Sequence, residues 1–211
     1  MNNIKNTIEW ADKSWNPITG CLNGCSYCYA RRIAHRFKRS FEPEFHEIRL
    51  LEPYRLNKPA RIFCGSNADW FSDGVQPQWR ETVKDVMRRS PRHTYFILTK
   101  RPDRISESFP NNCWVGVSVS DCRDIWRTDE LKKIRANRKF VSIEPIMGLP
   151  SLLFFKFQWV IVGSMTGPKK IEPSKTSIEQ CLRLANSEKT PLFMKKNVKP
   201  YYTGDLIQEY G

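Results

Sequence analysis

The chain has 211 residues, 40% hydrophobic and 27% charged, the composition of an ordinary globular protein. No uninterrupted apolar run approaches the roughly 18 residues of a membrane span, and the polar start Met1-Asn2-Asn3-Ile4-Lys5-Asn6, followed by Glu9 and Asp12, does not read as a secretory signal. The formal charge of +13 admits an anionic partner such as nucleic acid. The basic residues are dispersed, however, over Arg31-Arg32, Arg36, Lys38-Arg39, Arg88-Arg89, Lys132-Lys133 and Lys195-Lys196, mostly on predicted helices where a solvated face accounts for them. One cytoplasmic domain over residues 1–211, with no membrane partner, is the expectation.

In chain order, a first strand is predicted near Thr7–Trp10, then a loop rich in cysteine, then a helix over Tyr29–Lys38. Short runs rich in aromatic and β-branched residues follow, separated by amphipathic segments. The runs read as strands at Arg61–Cys64, Thr94–Leu98, Cys113–Val119, Lys139–Ile143, Trp159–Gly163 and Leu192–Met194. Helices are expected over Pro77–Arg89, Pro102–Glu107, Asp124–Arg135 and Ser177–Ser187; the first has Trp79, Val83 and Val86-Met87 at helical spacing, with Pro77 suited to a first turn. The strands show no strict alternation, as expected for strands buried on both faces. The succession predicts an α/β fold with six or seven mainly parallel strands and right-handed crossovers, closed as a curved, partial (β/α) barrel. An open doubly wound sheet is the alternative, and in either case chemistry gathers beyond the C-terminal ends of the strands.

Polar residues do recur where the apolar runs stop. They are Gly65-Ser66-Asn67-Ala68-Asp69-Trp70, Thr99-Lys100-Arg101-Pro102-Asp103, Ser118-Val119-Ser120-Asp121, Ser142-Ile143-Glu144-Pro145, Gly163-Ser164-Met165-Thr166-Gly167 and Lys195-Lys196-Asn197. The loop after the first strand carries Cys21, Cys25 and Cys28 in a C-x3-C-x2-C pattern, with Tyr27 just before the last cysteine. Three thiolates so placed can hold three irons of a 4Fe–4S cube and leave the fourth open for S-adenosylmethionine (SAM), which suggests catalysis more than electron carriage. Zinc in a Cys3His site with His35 is the alternative. Cys64, Cys113, Cys122 and Cys181 read as buried or incidental thiols rather than disulfides, Cys64 being a further ligand candidate by its place at a strand end. His46 and His93 have no partner motif and are assigned no role.

The cysteine pattern on a loop after a first strand resembles the radical-SAM superfamily. Trp15-Asn16-Pro17, Cys28-Tyr29-Ala30, Leu98-Thr99-Lys100-Arg101-Pro102, Trp114-Val115-Gly116-Val117-Ser118, Ser142-Ile143-Glu144-Pro145 and Trp159-Val160-Ile161-Val162-Gly163 resemble, more narrowly, one phage-associated subfamily. That subfamily has long been catalogued as a domain of unknown function and includes a queuine lyase. The likeness runs from about Trp15 to Lys196, with one departure: where Gly-Gly-Glu-Ser-Gly is expected, the chain has Gly163-Ser164-Met165-Thr166-Gly167.

The resemblance implies a 4Fe–4S cluster on Cys21, Cys25 and Cys28, SAM as co-substrate, and a reductase or a flavodoxin or ferredoxin as electron donor. Reductive cleavage of SAM would release a 5′-deoxyadenosyl radical that takes a hydrogen atom from the substrate. Tyr27 matches the aromatic contact to adenine, and Gly65-Ser66-Asn67 the turn that receives the SAM ammonium. Ser118 or Ser120 is placed for the ribose, and Lys100 or Arg101 for the carboxylate.

The implied substrate is a small base, specifically queuine, cut to 7-aminomethyl-7-deazaguanine in salvage. Asp69 and Glu144 are the carboxylates for a guanine-like edge, and Trp70, Trp114 or Phe71 the rings to stack on it. For Glu144 the competing role is a salt bridge to a neighbouring Lys or Arg. Two further functions stay open: a radical-SAM enzyme that modifies tRNA or DNA, and a non-enzymatic zinc-binding adaptor.

Overall fold

A computed structural model describes residues 1–4, 8–148, 157–167 and 170–211. The strands are β1 (Asn2–Asn3), β2 (Lys13–Trp15), β3 (Ile18–Thr19), β4 (Glu44–Phe45), β5 (Arg61–Cys64), β6 (Thr94–Thr99), β7 (Cys113–Ser118), β8 (Arg138–Ile143), β9 (Trp159–Val162) and β10 (Leu192–Met194). The helices are α1 (Tyr29–Arg36), α2 (Pro77–Arg89), α3 (Trp126–Lys133) and α4 (Lys175–Ser187). Eight strands form one sheet in the order β1-β2-β5-β6-β7-β8-β9-β10, and β3 and β4 form a separate antiparallel pair. Every pairing from β2 to β10 is parallel; only the two-residue edge strand β1 runs antiparallel. The fold is therefore mixed α/β with a mostly parallel sheet, eight strands rather than six or seven. Its pairing order is open, with β1 and β10 at the edges.

The two faces of this sheet differ in kind. Ile62, Ile97, Val115, Val117, Val141 and Val162 point to one face and pack on Val83 and Met87 of α2, Leu131 of α3 and Ile178 of α4. Phe63, Phe96, Trp114, Phe140, Trp159 and Phe193, at alternate positions of β5 to β10, point to the other face and cluster with Trp10. Alternation is thus present, but between mostly aliphatic and mostly aromatic residues, which a polar/apolar pattern does not reveal.

No helix covers the aromatic face among the described residues; the sheet bends round it instead. The Trp10 ring lies 4.8 Å from Phe63 of β5 and 5.9 Å from Trp159 of β9. Those strands are four steps apart, about 19 Å in a flat sheet, so one indole can touch both only if the sheet curves. Tyr210 makes the same point near the other end of the strands, meeting Phe193 of β10 at 5.2 Å and the Arg61 guanidinium of β5 at 3.9 Å.

Most element bounds differ from the sequence expectation by a residue or two. Near the N-terminus, Thr7 lies outside the described residues. Ile8–Trp10 is a turn, with the Ile8 amide donating to the Ile4 carbonyl at 2.8 Å; the strand that precedes the cysteine loop in the sheet is β2. Trp10 is only 2% exposed, so it is used as a core plug rather than as a strand residue. Pro102–Glu107 shortens to a single 3-10 turn, Pro102–Arg104. Asp124–Arg135 splits into a 3-10 turn at Cys122–Asp124 and α3.

Candidate functional site

The C-terminal ends of the strands open on a cavity of about 230 Å³ on the aromatic face. Its floor is Trp10, Phe63 and Leu98; its rim carries Ser66, Asp69, Lys100, Ser118, Ser142, Glu144, Ser164 and Lys195 from successive strand ends. Cys21, Cys25 and Cys28 line the same cavity from the loop above, together with Asn23, Tyr27 and Tyr29.

Backbone hydrogen bonds anchor the cysteine loop at its base. The Gly20 amide donates to the Asn67 carbonyl at 3.2 Å, and the Cys21 amide to the Phe41 carbonyl at 2.9 Å. Arg31 Nη2 donates to the Cys21 carbonyl at 2.9 Å. Cys28 is the N-cap of α1, its Sγ accepting from the Arg31 amide at 3.4 Å, so the last cysteine and the first helical turn are one unit. Burial, first, and the Asp69 charge push the Cys21 thiol up. In chemistry the donor set fits an iron–sulfur cluster, three soft thiols on one loop facing one cavity. The side chains are not drawn together as a preformed ligand group: among the described residues no three His, Cys, Asp or Glu are gathered to hold a metal. His35 is exposed on α1 and does not line the cavity.

The remaining cysteines stand apart. Cys64 is 2% exposed, points to the helix-covered face and has its thiol pushed well up by burial, so it is core and not a further ligand. Burial also raises the Cys113 thiol, and it pushes that of Cys181 up to about 12. Cys122 is exposed.

Asp69 is a structural hub. It is 6% exposed, and its Oδ1 accepts from Thr99 Oγ1 at 2.7 Å and the Phe71 amide at 3.1 Å. Its Oδ2 accepts from Asn23 Nδ2 at 2.7 Å and the Lys100 amide at 2.8 Å. Four donors fill about four lone-pair positions. Asp69 therefore ties the cysteine loop to the ends of β5 and β6, and has nothing left for a base edge. Glu144 differs: its Oε1 pairs with Lys195 Nζ, while Oε2 takes no hydrogen bond among the described residues. A Cβ on Gly163 would lie 2.9 Å from Glu144 Cδ, so the missing side chain at that strand end makes room for the carboxylate.

The expected SAM-binding residues divide. Tyr27 lines the cavity, its hydroxyl 2.9 Å from Ser120 Oγ and its ring 5.5 Å from Lys100 Nζ. Ser120 is not on the wall; it stands behind Tyr27. Ser118 is on the wall, its hydroxyl donating to the Glu144 carbonyl at 3.3 Å. Gly65, at φ +79°, turns the chain so that Ser66 and Asn67 face the cavity. Among the described residues, Asn67 Oδ1 is buried without a partner, and so is Asn23 Oδ1. Arg101 is turned away, its guanidinium forked onto Asp103 at 3.1 and 3.2 Å, and it does not line the cavity.

The expected stacking rings are not on the wall. Trp70, Phe71 and Trp114 are 1%, 2% and 3% exposed and sit in the core. Tyr27, Tyr29, Phe41 and Phe63 occupy that place instead. Tyr29 is half exposed as a whole, but its hydroxyl end donates to the Ser66 carbonyl; burial there, then the Glu144 and Cys28 charges, push it up to about 12. Asn23, Tyr29 and Lys195 escape sequence reasoning as site residues, since their only signal is adjacency to the cysteines or to a strand end.

The chain belongs to a family described as a protein of unknown function (DUF5131), whose model matches residues 5–202. No curated protein and no solved structure matches it.

Proposed function

We propose that this chain is a radical-SAM enzyme acting on a small, flat, base-like substrate, with queuine the specific candidate. The observation that carries the reading is the shared cavity: three thiols of one loop and a carboxylate with one oxygen free of hydrogen bonds among the described residues line it together at the C-terminal ends of a parallel sheet. Cys21, Cys25 and Cys28 would hold the 4Fe–4S cluster. There the cluster would supply the single electron that reductive SAM chemistry needs to make a hydrogen-abstracting radical.

The chain's own residues do the rest. Ser120 holds the Tyr27 ring upright as a platform for adenine, and Lys100 offers a cation beside it. Asn67 and Asn23 line the cavity with the cysteines, and their side-chain oxygens have no partner among the described residues. Glu144 Oε2 accepts the neighbouring N–H donors of the base, while Lys195 holds the carboxylate in place through Oε1. Trp10, Phe63 and Leu98 floor the site and keep water from the reacting atoms. The curved, helix-free aromatic face and the regular strand order support reading the sheet as a partial (β/α) barrel.

Anaerobic reconstitution with iron and sulfide, then SAM and dithionite, tests the class. A brown chromophore and 5′-deoxyadenosine are expected, and neither should form with Cys25→Ala. Their absence from the unaltered chain overturns the class. Added queuine should yield 7-aminomethyl-7-deazaguanine; formation of 5′-deoxyadenosine with queuine left intact overturns the substrate alone.

A further inference from the structure

Three residues stand at one level past the last three strands. Glu144, Gly163 and Lys195 are the first residues after β8, β9 and β10, and Val162 at the end of β9 is in register with both Ile143 and Met194. Glu144 and Lys195 are thus two strand steps apart, about 9.6 Å in a flat sheet. Their side chains meet past Gly163, where a Cβ would lie 2.9 Å from Glu144 Cδ. Lys195 is fixed at its root, its amide donating to the Val162 carbonyl at 2.9 Å. Its side chain is only 10% exposed, against 26% for Glu144. Among the described residues the ammonium has a single hydrogen-bond partner, Glu144 Oε1, and both residues line the cavity.

An ammonium carries three donors and no acceptor, so one bond leaves two positions of Lys195 Nζ for something in the cavity. A buried charge so sparsely partnered is costly unless a ligand or water completes it. An anion does not fit, because the adjoining Glu144 carboxylate makes the pair neutral and repels a second negative charge. The complement is a neutral group with an acceptor beside N–H donors. On a flat base that is a guanine-type lactam edge, with O6, N1–H and N2–H in a row, and Lys195 Nζ and Glu144 Oε2 offer donor and acceptor in the matching order. An amino-type base in the same pose has N–H2 in place of O6 and sets donor against donor.

We propose that Lys195 binds substrate directly, its ammonium donating to a ring carbonyl while Glu144 accepts the adjoining N–H groups, so that the pair selects lactam-type bases over amino-type ones. This rests on the reading of the substrate as a small, flat base, and adds to it a second contact atom and a rule for which bases are refused.

The test is calorimetry on the full, cluster-reconstituted chain with SAM and without reductant. The probes are 7-deazaguanine, its 6-thio analogue, which retains the N–H groups but has a weaker acceptor, and its 2,6-diamino analogue. Relative to 7-deazaguanine, the thio base should bind about tenfold more weakly and the diamino base at least about a hundredfold more weakly. Lys195→Met retains much of the side chain's length and removes its donors. Whatever loss the two bases share in this variant, the ratio of oxo to thio affinity should fall from about ten to within about twofold of unity, the signature of a contact between Lys195 and that atom. A ratio that persists shows that Lys195 only positions Glu144, and overturns the proposal. Equal affinity of the unaltered chain for 7-deazaguanine and the diamino base overturns it as well, with no variant needed. If the bases bind without such discrimination, the proposal alone fails; if no base binds, the base-like substrate is overturned and the proposal with it.

Discussion

Asp69 and Glu144 are both carboxylates just past a strand end, both line the same cavity, and the structure uses them in opposite ways. Asp69 follows β5 and accepts four hydrogen bonds from the cysteine loop, its own turn and the end of β6. Glu144 follows β8 and gives one oxygen to Lys195. A carboxylate has only about four acceptor positions, so the first is consumed by architecture and the second keeps capacity for a ligand. Position at a strand end therefore marks a residue as near the site, and the count of donors around it decides whether it can act there.

The largest expected effect breaks the Asp69 side. Asp69→Asn retains the shape but turns one acceptor oxygen into a donor facing two donors, and should cost about 3 kcal/mol in chemical denaturation. It should also loosen the cysteine loop, read as faster amide exchange at Asn23. A cost under about 0.5 kcal/mol would show that the four bonds do not hold the loop.

On the Glu144 side, Gly163→Ala places a methyl group 2.9 Å from Glu144 Cδ. About 2 kcal/mol of overpacking is expected, with Glu144 pushed off Lys195; a crystal structure of the variant with the pair intact would remove Gly163 from the account. Glu144→Gln should be milder for stability, about 1 kcal/mol, because the half-buried pair loses its charge assistance but retains a hydrogen bond. On the proposed function its larger effect is on ligand binding, and calorimetry with queuine should show at least about a tenfold loss of affinity, the scale of a lost charged hydrogen bond. Equal affinity would return Glu144 to a purely structural role beside Asp69.

Smallest is Arg101→Ala. Its fork onto Asp103 is between side chains 30% and 38% exposed, and such pairs contribute under about 0.5 kcal/mol. SAM affinity should be unchanged; a clear loss would put Arg101 back at the cavity and blunt the contrast between inward and outward residues at one strand end.

Much of this was legible from local pattern. Arg61–Cys64, Pro77–Arg89 and Leu192–Met194 form where expected, since short β-branched and aromatic runs, and a proline-led amphipathic segment, are signals carried by neighbours in the chain. The cysteine loop and the polar strand ends were visible for the same reason, and the parallel sheet brings them to one cavity.

What the chain could not declare locally is direction and saturation. Trp70 lies in the turn that follows one predicted strand and Trp10 closes another. The first is core on the helix-covered face and the second plugs the curved aromatic face and floors the cavity. Arg101 and Lys100 are adjacent, yet only Lys100 faces inward. Sequence alone determined the alternation of element types, the cysteine spacing and the polar residues past each strand, because these are properties of consecutive residues. Which of those residues still has a free oxygen, ring or cation was decided only by the tertiary structure, because hydrogen-bond capacity is used up by partners such as Asn23 and Thr99 for Asp69, or Lys195 for Glu144, that lie 30 to 51 residues away along the chain.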